Sequence, residues 1–206
     1  MIMTSIVLAG GRSLRLGRNK ILETLGGKTL IELVVERLAP VSDQVIIATV
    51  PGQRLPRFNR QVETVFDAYP GKGSLGGLYS GLQAAHSFHS LAVAADMPFL
   101  NQSLLSYMME VASDFDVVAP QLGGFVEPLH AVYSKRCLEA IEAQLKRGRL
   151  SMKGFFPQVK VRYLDEAELD RFDPEHLSFF NINTKADLEK AKELVAQQDA
   201  KRVICP

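Results

Sequence analysis

Residues 5–20, SIVLAGGRSLRLGRNK, decide how the rest of the chain is read. Ile6, Val7 and Leu8 form an apolar, β-favouring run that turns at once through Ala9, Gly10 and Gly11. That is the pattern of a buried strand ending in a tight turn. Glycine lacks a Cβ, so backbone at this point can lie directly against a ligand. Arg12, Arg15 and Lys20 come next, and free N–H groups with cations beside them make a cradle for oxyanions. The same residues alone would equally suit a plain strand and loop with solvated basic side chains, so the rest of the chain has to decide.

Strand-length apolar runs recur at residues 44–50, 62–66, 91–95, 116–120, 129–133 and 159–164, with a last short one, SFFNIN, at 178–183. Helical patterns lie between them. Residues 28–38 put Leu30, Ile31, Val34, Val35 and Leu38 on one face, and residues 74–86 follow a cap at Ser74. Asn101 caps a helix carrying Leu104, Leu105, Met108 and Met109, and Ser134 caps one through Cys137, Ile141 and Leu145. Thr184 and Asp187 form a capping box for a final helix ending near Gln197. This alternation predicts a single-domain, three-layer α/β/α Rossmann-like sandwich with a mainly parallel sheet over residues 1–198. Residues 199–206 are expected to be a flexible tail. Ligands of such sheets sit at the carboxyl ends of the strands, where the glycine turn already lies.

With 206 residues, 47% hydrophobic and 23% charged, the chain has the make-up of an ordinary globular protein with a sizeable core. Its net charge of +1 gives no support for a nucleic-acid or membrane-surface partner. No apolar run approaches the roughly 18 residues of a membrane span, and the N-terminus reads as a first strand and not a signal peptide. Cys137 and Cys205 are far apart, without CxxC or Cys/His spacing; a zinc site and a disulfide framework are excluded, and a cytoplasmic protein with unpaired thiols is expected.

Three constellations could carry chemistry. The first is the loop through Lys20. It is not a Walker A motif, because Gly27-Lys28-Thr29 would need a glycine where Leu22 stands. The second, Gly71-Lys72-Gly73-Ser74-Leu75-Gly76, formally matches GxGxxG, but residues 67–70 separate it from its strand and discount a dinucleotide fingerprint. The third is Asp96, at the end of the apolar run LAVAA. Burying it is costly unless a cation meets it, and a salt bridge or helix cap is the bland assignment. Together with Asp67, a second carboxylate at the same edge, it would suit Mg²⁺ bridging to phosphates; a turn-forming role is the bland assignment for Asp67. His130, inside LHAVY, is read as a hydrogen-bonded core or rim residue. No Gly-x-Ser-x-Gly elbow surrounds Ser13 or Ser74, so nucleophilic catalysis has no sequence support.

The pattern LAGG-x-S-x-R-x-G-x-x-K over residues 8–20 resembles the signature loop of nucleotidyltransferases that act on phosphorylated small molecules. Asp67 before Pro-Gly, residues 73–78, Asp96-Met97-Pro98, Glu127-Pro128-Leu129-His130-Ala131 and Asn181-Ile182-Asn183-Thr184 narrow the resemblance to the molybdenum cofactor guanylyltransferases, over nearly the whole chain. The resemblance implies a nucleotide-diphospho-sugar transferase-like fold and GMP transfer from GTP, with Mg²⁺, to the phosphate of molybdenum-bearing molybdopterin. It implies Leu8, Ala9, Gly10, Gly11, Lys20, Asp67 and Asp96 at the nucleotide, Arg15, Lys20 and Asp96 in catalysis, and Asp96 on the metal. Arg149, Lys153, Asn181 and Asn183 are the candidates for the acceptor. Transient contact with proteins that supply molybdopterin or mature molybdoenzymes is expected, with no nucleic acid and no membrane. Two departures stand out: Ala48-Thr49-Val50 replaces a stretch in which many members carry asparagine, and Asn19 replaces an aspartate before the lysine. The first keeps open cytidylyl transfer to the same pterin, or nucleotidyl transfer to a sugar or alditol phosphate. A non-catalytic nucleotide-binding regulator is the alternative of another class.

Overall fold

The apolar run at the head of the chain forms strand β1 (Thr4–Leu8), buried along its whole length. The computed structural model describes residues 3–10 and 20–204, with side chains through residue 197. The expectations for Gly11, Arg12, Ser13, Arg15, Asn19 and Cys205 lie outside the described residues. A small hairpin, β2 (Thr24–Leu25) and β3 (Lys28–Thr29), leads into α1 (Leu30–Leu38). Thr29 and Glu32 cap that helix reciprocally: the Glu32 N–H donates to Thr29 Oγ1 at 3.4 Å and the Thr29 N–H to Glu32 Oε2 at 2.7 Å. Next come β4 (Gln44–Thr49), β5 (Glu63–Phe66), α2 (Gly73–Ala84), β6 (His89–Ala94) and α3 (Gln102–Glu110). The chain continues through β7 (Val117–Leu122), β8 (Phe125–Val126), β9 (His130–Ser134), α4 (Cys137–Lys146), β10 (Val161–Leu164), α5 (Glu166–Asp170) and α6 (Lys185–Ile204).

The main sheet has the order β10-β7-β9-β6-β1-β4-β5, with β8 attached to β7. It is parallel except that β9 runs against both β6 and β7, and β8 against β7. The expected mainly parallel sandwich is what forms. Side chains alternate across it. Val7, Val45, Ile47, Leu91 and Val93 pack with α1 and α3 on one face, and Ile6, Ile46, Ala48, Ala92 and Tyr133 pack with α2 and α4 on the other. Among the described residues, no helix is long and apolar enough to cross a membrane.

Helix α2 approaches the sheet unusually closely. A Cβ on Gly81 would lie 2.5 Å from Ile6 Cγ2, so only glycine lets this helix rest on β1. Gly81→Ala is expected to cost about 1–3 kcal/mol through overpacking, read as a lower midpoint in chemical denaturation.

Several local expectations fail for identifiable reasons. Residues 178–183 are not a strand; Leu177–Phe179 form a 3₁₀ turn. The backbone groups that a ladder would use are bound elsewhere. The Ser178 N–H donates to Asp173 Oδ2 at 2.8 Å, and that of Ile182 to the Asp96 carbonyl at 3.0 Å. Neither Ser74 nor Ser134 caps a helix: α2 starts one residue before Ser74, and Ser134 stays in β9, where its hydroxyl donates to Asp116. Asn101 does cap α3, accepting from the Leu104 N–H at 3.0 Å. Thr184 and Asp187 do form their box, and the helix they open runs past Gln197 to Ile204.

His130 is fully buried, as expected of a core residue, but neither ring nitrogen has a hydrogen-bond partner among the described residues. Its ring lies against Phe179, with centroids 4.8 Å apart. Burial pushes its pKa down to about 4, against the attraction of the Asp173 carboxylate and the nearby Ser178 backbone. The folded state therefore holds this ring neutral where the unfolded chain protonates it, and stability falls as pH drops from 6.5 towards 4. The full effect is on the order of 3 kcal/mol. In urea denaturation, His130→Leu should remove that part of the pH dependence while carboxylate effects remain.

Candidate active site

Strand β1 is where the sheet order reverses: the chain proceeds from β1 to β4 and β5 on one side, then crosses to β6 on the other. Parallel strands diverge at such a point and leave a crevice at their carboxyl ends. Gly10 and Asp96 flank that crevice. The backbone is sewn together beneath it, with the Ala9 N–H donating to the Ala48 carbonyl at 2.9 Å and the Ala95 N–H to that of Leu8 at 3.2 Å. Leu8 and Ala9 are thus structural walls whose side chains are buried, and Gly10 is the first residue free of the ladder.

Asp96 is buried at the end of β6, and its Oδ2 is paired directly with Lys20 Nζ. The salt bridge expected of a buried aspartate is present, and its partner is the lysine that closes the opening loop. Lys20 Nζ also donates to Asn183 Oδ1 at 2.9 Å. Three predicted residues, up to 163 positions apart in sequence, therefore converge. The segment before α6 holds Asn183 there, because Ile182 is anchored to the Asp96 carbonyl and the Asn183 N–H donates to Asp187 Oδ2 at 3.0 Å. An ammonium held by one carboxylate and one amide oxygen at the rim of a crevice can transfer its contacts to an incoming phosphate.

Asp67 also lies at this edge, but β4 and β1 stand between its strand and β6. Three strand spacings are roughly 14 Å, so Asp67 and Asp96 do not share one ion as the sequence suggested. No group of three or more potential metal ligands occurs among the described residues. Asp67 has the turn role, its Oδ1 accepting from the Tyr69 N–H at 2.8 Å. A Cβ on Gly76 would lie 2.6 Å from both carboxylate oxygens, so the glycine makes room for a carboxylate pressed against α2. The GxGxxG match therefore serves packing, with residues 67–70 separating it from β5. Burial raises the pKa of Asp67, opposed by the Tyr69 N–H.

Arg149 and Lys153 are exposed on the connection after α4, and the Lys153 ammonium attracts the Glu127 carboxylate. Asn181 is partly buried without a side-chain partner among the described residues. Two residues that the sequence marked only as parts of longer stretches, with no role of their own, also matter at this edge. Thr49 Oγ1, at the end of β4, is buried with no hydrogen-bond partner among the described residues. Glu127, in the corner between β8 and β9, is partly buried, and burial raises its pKa against the attraction of Lys153. The positions were legible in sequence but their lack of a partner was not, since that is a property of the folded neighbourhood.

Because a raised folded pKa means that ionising Asp67 costs stability, Asp67→Asn should melt higher than the unaltered protein at pH 7, with the difference closing as pH falls below 3.8. The same variant should bind nucleoside triphosphate more weakly, as measured by calorimetry.

Residues 5–159 match the family described as the MobA-like NTP transferase domain. A molybdenum cofactor guanylyltransferase from Desulfosudis oleivorans is 40% identical over 94% of this chain and 96% of its own. The crystal structure of molybdopterin-guanine dinucleotide biosynthesis protein A from Archaeoglobus fulgidus matches with a TM-score of 0.80 and 29% identity, covering 95% of this chain and all of the other. A 2-C-methyl-D-erythritol 4-phosphate cytidylyltransferase from Thermus thermophilus shares the fold, with a TM-score of 0.71 at 19% identity over 94% of this chain and 98% of its own.

Proposed function

The chain belongs to the MobA-like NTP transferase family, and from that premise we propose that it transfers GMP from GTP to the phosphate of molybdenum-bearing molybdopterin. The product is the guanine dinucleotide form of the cofactor, with pyrophosphate released. The convergence of Lys20, Asp96 and Asn183 beside Gly10 at the switch point carries this reading. A terminal phosphate oxygen of the acceptor attacks the α-phosphorus of GTP. The new O–P bond forms as the bond from the α-phosphorus to the bridging oxygen breaks, and that oxygen leaves with pyrophosphate.

This reaction makes modest demands on the protein. A phosphate monoester, with its second pKa near 6, is already ionised at neutral pH, so no general base is required. The residues position two anions and offset their charge. Gly10, and with it Gly11 and Arg15 of the opening loop, would hold the triphosphate by backbone and cation. Lys20 would exchange its contact with Asp96 for phosphate oxygens, leaving the Asp96 carboxylate free. Asp67 would meet the nucleotide on the β4–β5 side.

The donor set fits Mg²⁺, which takes few protein carboxylates and completes its shell with water and phosphate oxygens; Asp96 Oδ1 has no protein partner among the described residues. Bound there, the ion would neutralise charge on the triphosphate and the leaving pyrophosphate. The same reading makes this a cytoplasmic enzyme that receives its pterin from supplying proteins.

The test is incubation with GTP, Mg²⁺ and molybdopterin, following pyrophosphate release and product mass. Asp96→Asn is expected to retain its far-ultraviolet circular dichroism and lose at least a hundredfold in kcat, about the scale of removing one group that stabilises transition-state charge. Full activity in that variant would remove Asp96 from the metal site. Preferential activity with CTP would overturn the guanine assignment.

A further inference from the structure

The flank of the sheet away from Asp67 carries two features that the transfer step leaves unused. Phe125 is 73% exposed, more than the other large hydrophobic side chains exposed among the described residues. It does not sit on a loose loop. The β7–β8 hairpin pairs Leu122 with Phe125 and Gln121 with Val126, and the Gly123 N–H donates to Glu166 Oε1 at 2.6 Å. Two residues on, Glu127 continues the ladder by donating its N–H to the Pro120 carbonyl at 2.9 Å. Val126, between them, packs onto the core cluster containing Tyr133 and Phe155. Strand alternation therefore turns Phe125 and Glu127 away from that core together. The Glu127 carboxylate has no hydrogen bond or ion pair among the described residues, and Lys153 supplies the cationic attraction acting on it.

Because β9 runs in reverse, its first residues lie at the same edge as the ends of β1 and β6; the Ala94 N–H donates to the Leu129 carbonyl at 2.9 Å. Glu127, against β7, is thus about two strand spacings from the Asp96 strand, roughly 10 Å. An ionised carboxylate accepts two parallel N–H bonds, and an aromatic ring beside it offers a stacking face. The complementary ligand is a planar heterocycle whose edge presents an amino group next to a ring N–H. The 2-amino-4-oxopyrimidine ring supplies that edge, and pterin and guanine both contain it.

We propose that Phe125 and Glu127 form the seat of the acceptor's pterin ring, with Glu127 accepting from the ring N–H and the 2-amino group and Phe125 stacking on its face. This rests on the guanylyltransferase reading and deepens it. Position decides for pterin over guanine: on that reading Asp67 meets the nucleotide on the opposite flank, while the Lys20–Asp96 pair stands between, where the two phosphates would meet. The acceptor then spans from β7–β8 to the switch point, and the nucleotide from there towards β5.

The test measures molybdopterin binding by pterin fluorescence and GTP binding by calorimetry, on the intact protein, for Glu127→Gln and Phe125→Ser. Neither side chain has a hydrogen bond or ion pair to lose among the described residues, and thermal melts verify folding. Each variant is expected to bind molybdopterin about tenfold more weakly, the scale of one lost stacking or paired contact, with GTP affinity unchanged; Phe125→Tyr should restore binding. Weaker GTP binding with unchanged molybdopterin affinity would assign the seat to guanine and overturn the proposal, as would unchanged binding of both ligands. If the unaltered protein releases pyrophosphate while both variants bind molybdopterin normally, only this inference fails. If the unaltered protein neither binds molybdopterin nor releases pyrophosphate, the guanylyltransferase reading fails first.

Discussion

A buried carboxylate and a lysine paired across the switch point of the sheet set the terms for everything around them. Asp96 could not stand at the end of β6 without a cation, since an unpaired buried charge costs several kcal/mol. Lys20 supplies it and in doing so fixes where the chain must re-enter after the opening loop. Asn183 shares that ammonium, which ties the start of α6 to the same point. An element from the beginning, one from the middle and one from the end of the chain are thereby held around one ammonium group. The pair is also what an anionic substrate would compete for, so stability and function draw on the same charge.

The geometry divides the carboxyl edge into two flanks about this centre. On the β4–β5 side lie a glycine-lined helix, the buried Asp67 and the Thr49 hydroxyl, which has no partner among the described residues. On the β9–β7 side lie a hairpin with an exposed aromatic and a carboxylate with no hydrogen bond or ion pair among the described residues. A reaction between two phosphorylated molecules needs two binding surfaces and one place where their phosphates meet, and on the proposed reading these fall on the two flanks and the centre between them.

Much of this was legible in the sequence, for physical reasons. Strands β1, β4 and β6 are buried on both faces, so they read as unbroken apolar runs, and the residues just past their ends share one edge by topology. Asp96 announced its need for a cation because aspartate does not end such a run without one. SFFNIN misled because its apolar residues serve two different neighbours: Phe179 covers His130 and Phe180 packs edge-on against Phe99. The backbone between them is pinned by Asp173 and by the Asp96 carbonyl, partners that no periodicity reveals. Asn101 capped its helix as read, whereas Ser74 and Ser134 did not, because a serine near a helix start is a cap only if the backbone turns at that residue. The hydrogen bonds expected at His130 failed for the same kind of reason. Burial can be read from neighbouring apolar residues, but partners cannot.

The contact between α2 and the sheet bears on how such a scaffold can change over time. At Gly76 and Gly81 no side chain lies between the helix and its neighbours to absorb an alteration. A substitution there demands a simultaneous reduction of Ile6 or displacement of Asp67, so single steps at this contact are closed off. The opposite flank is built from hairpin and connection segments at the surface, 123–127 and 147–153, where exposed side chains such as Phe125, Arg149 and Lys153 can be exchanged one at a time, while Gly123, Gly124 and Gly148 are held by their positive φ. A lineage built on this frame would therefore keep its α2 flank and diversify the flank of the β7–β8 hairpin.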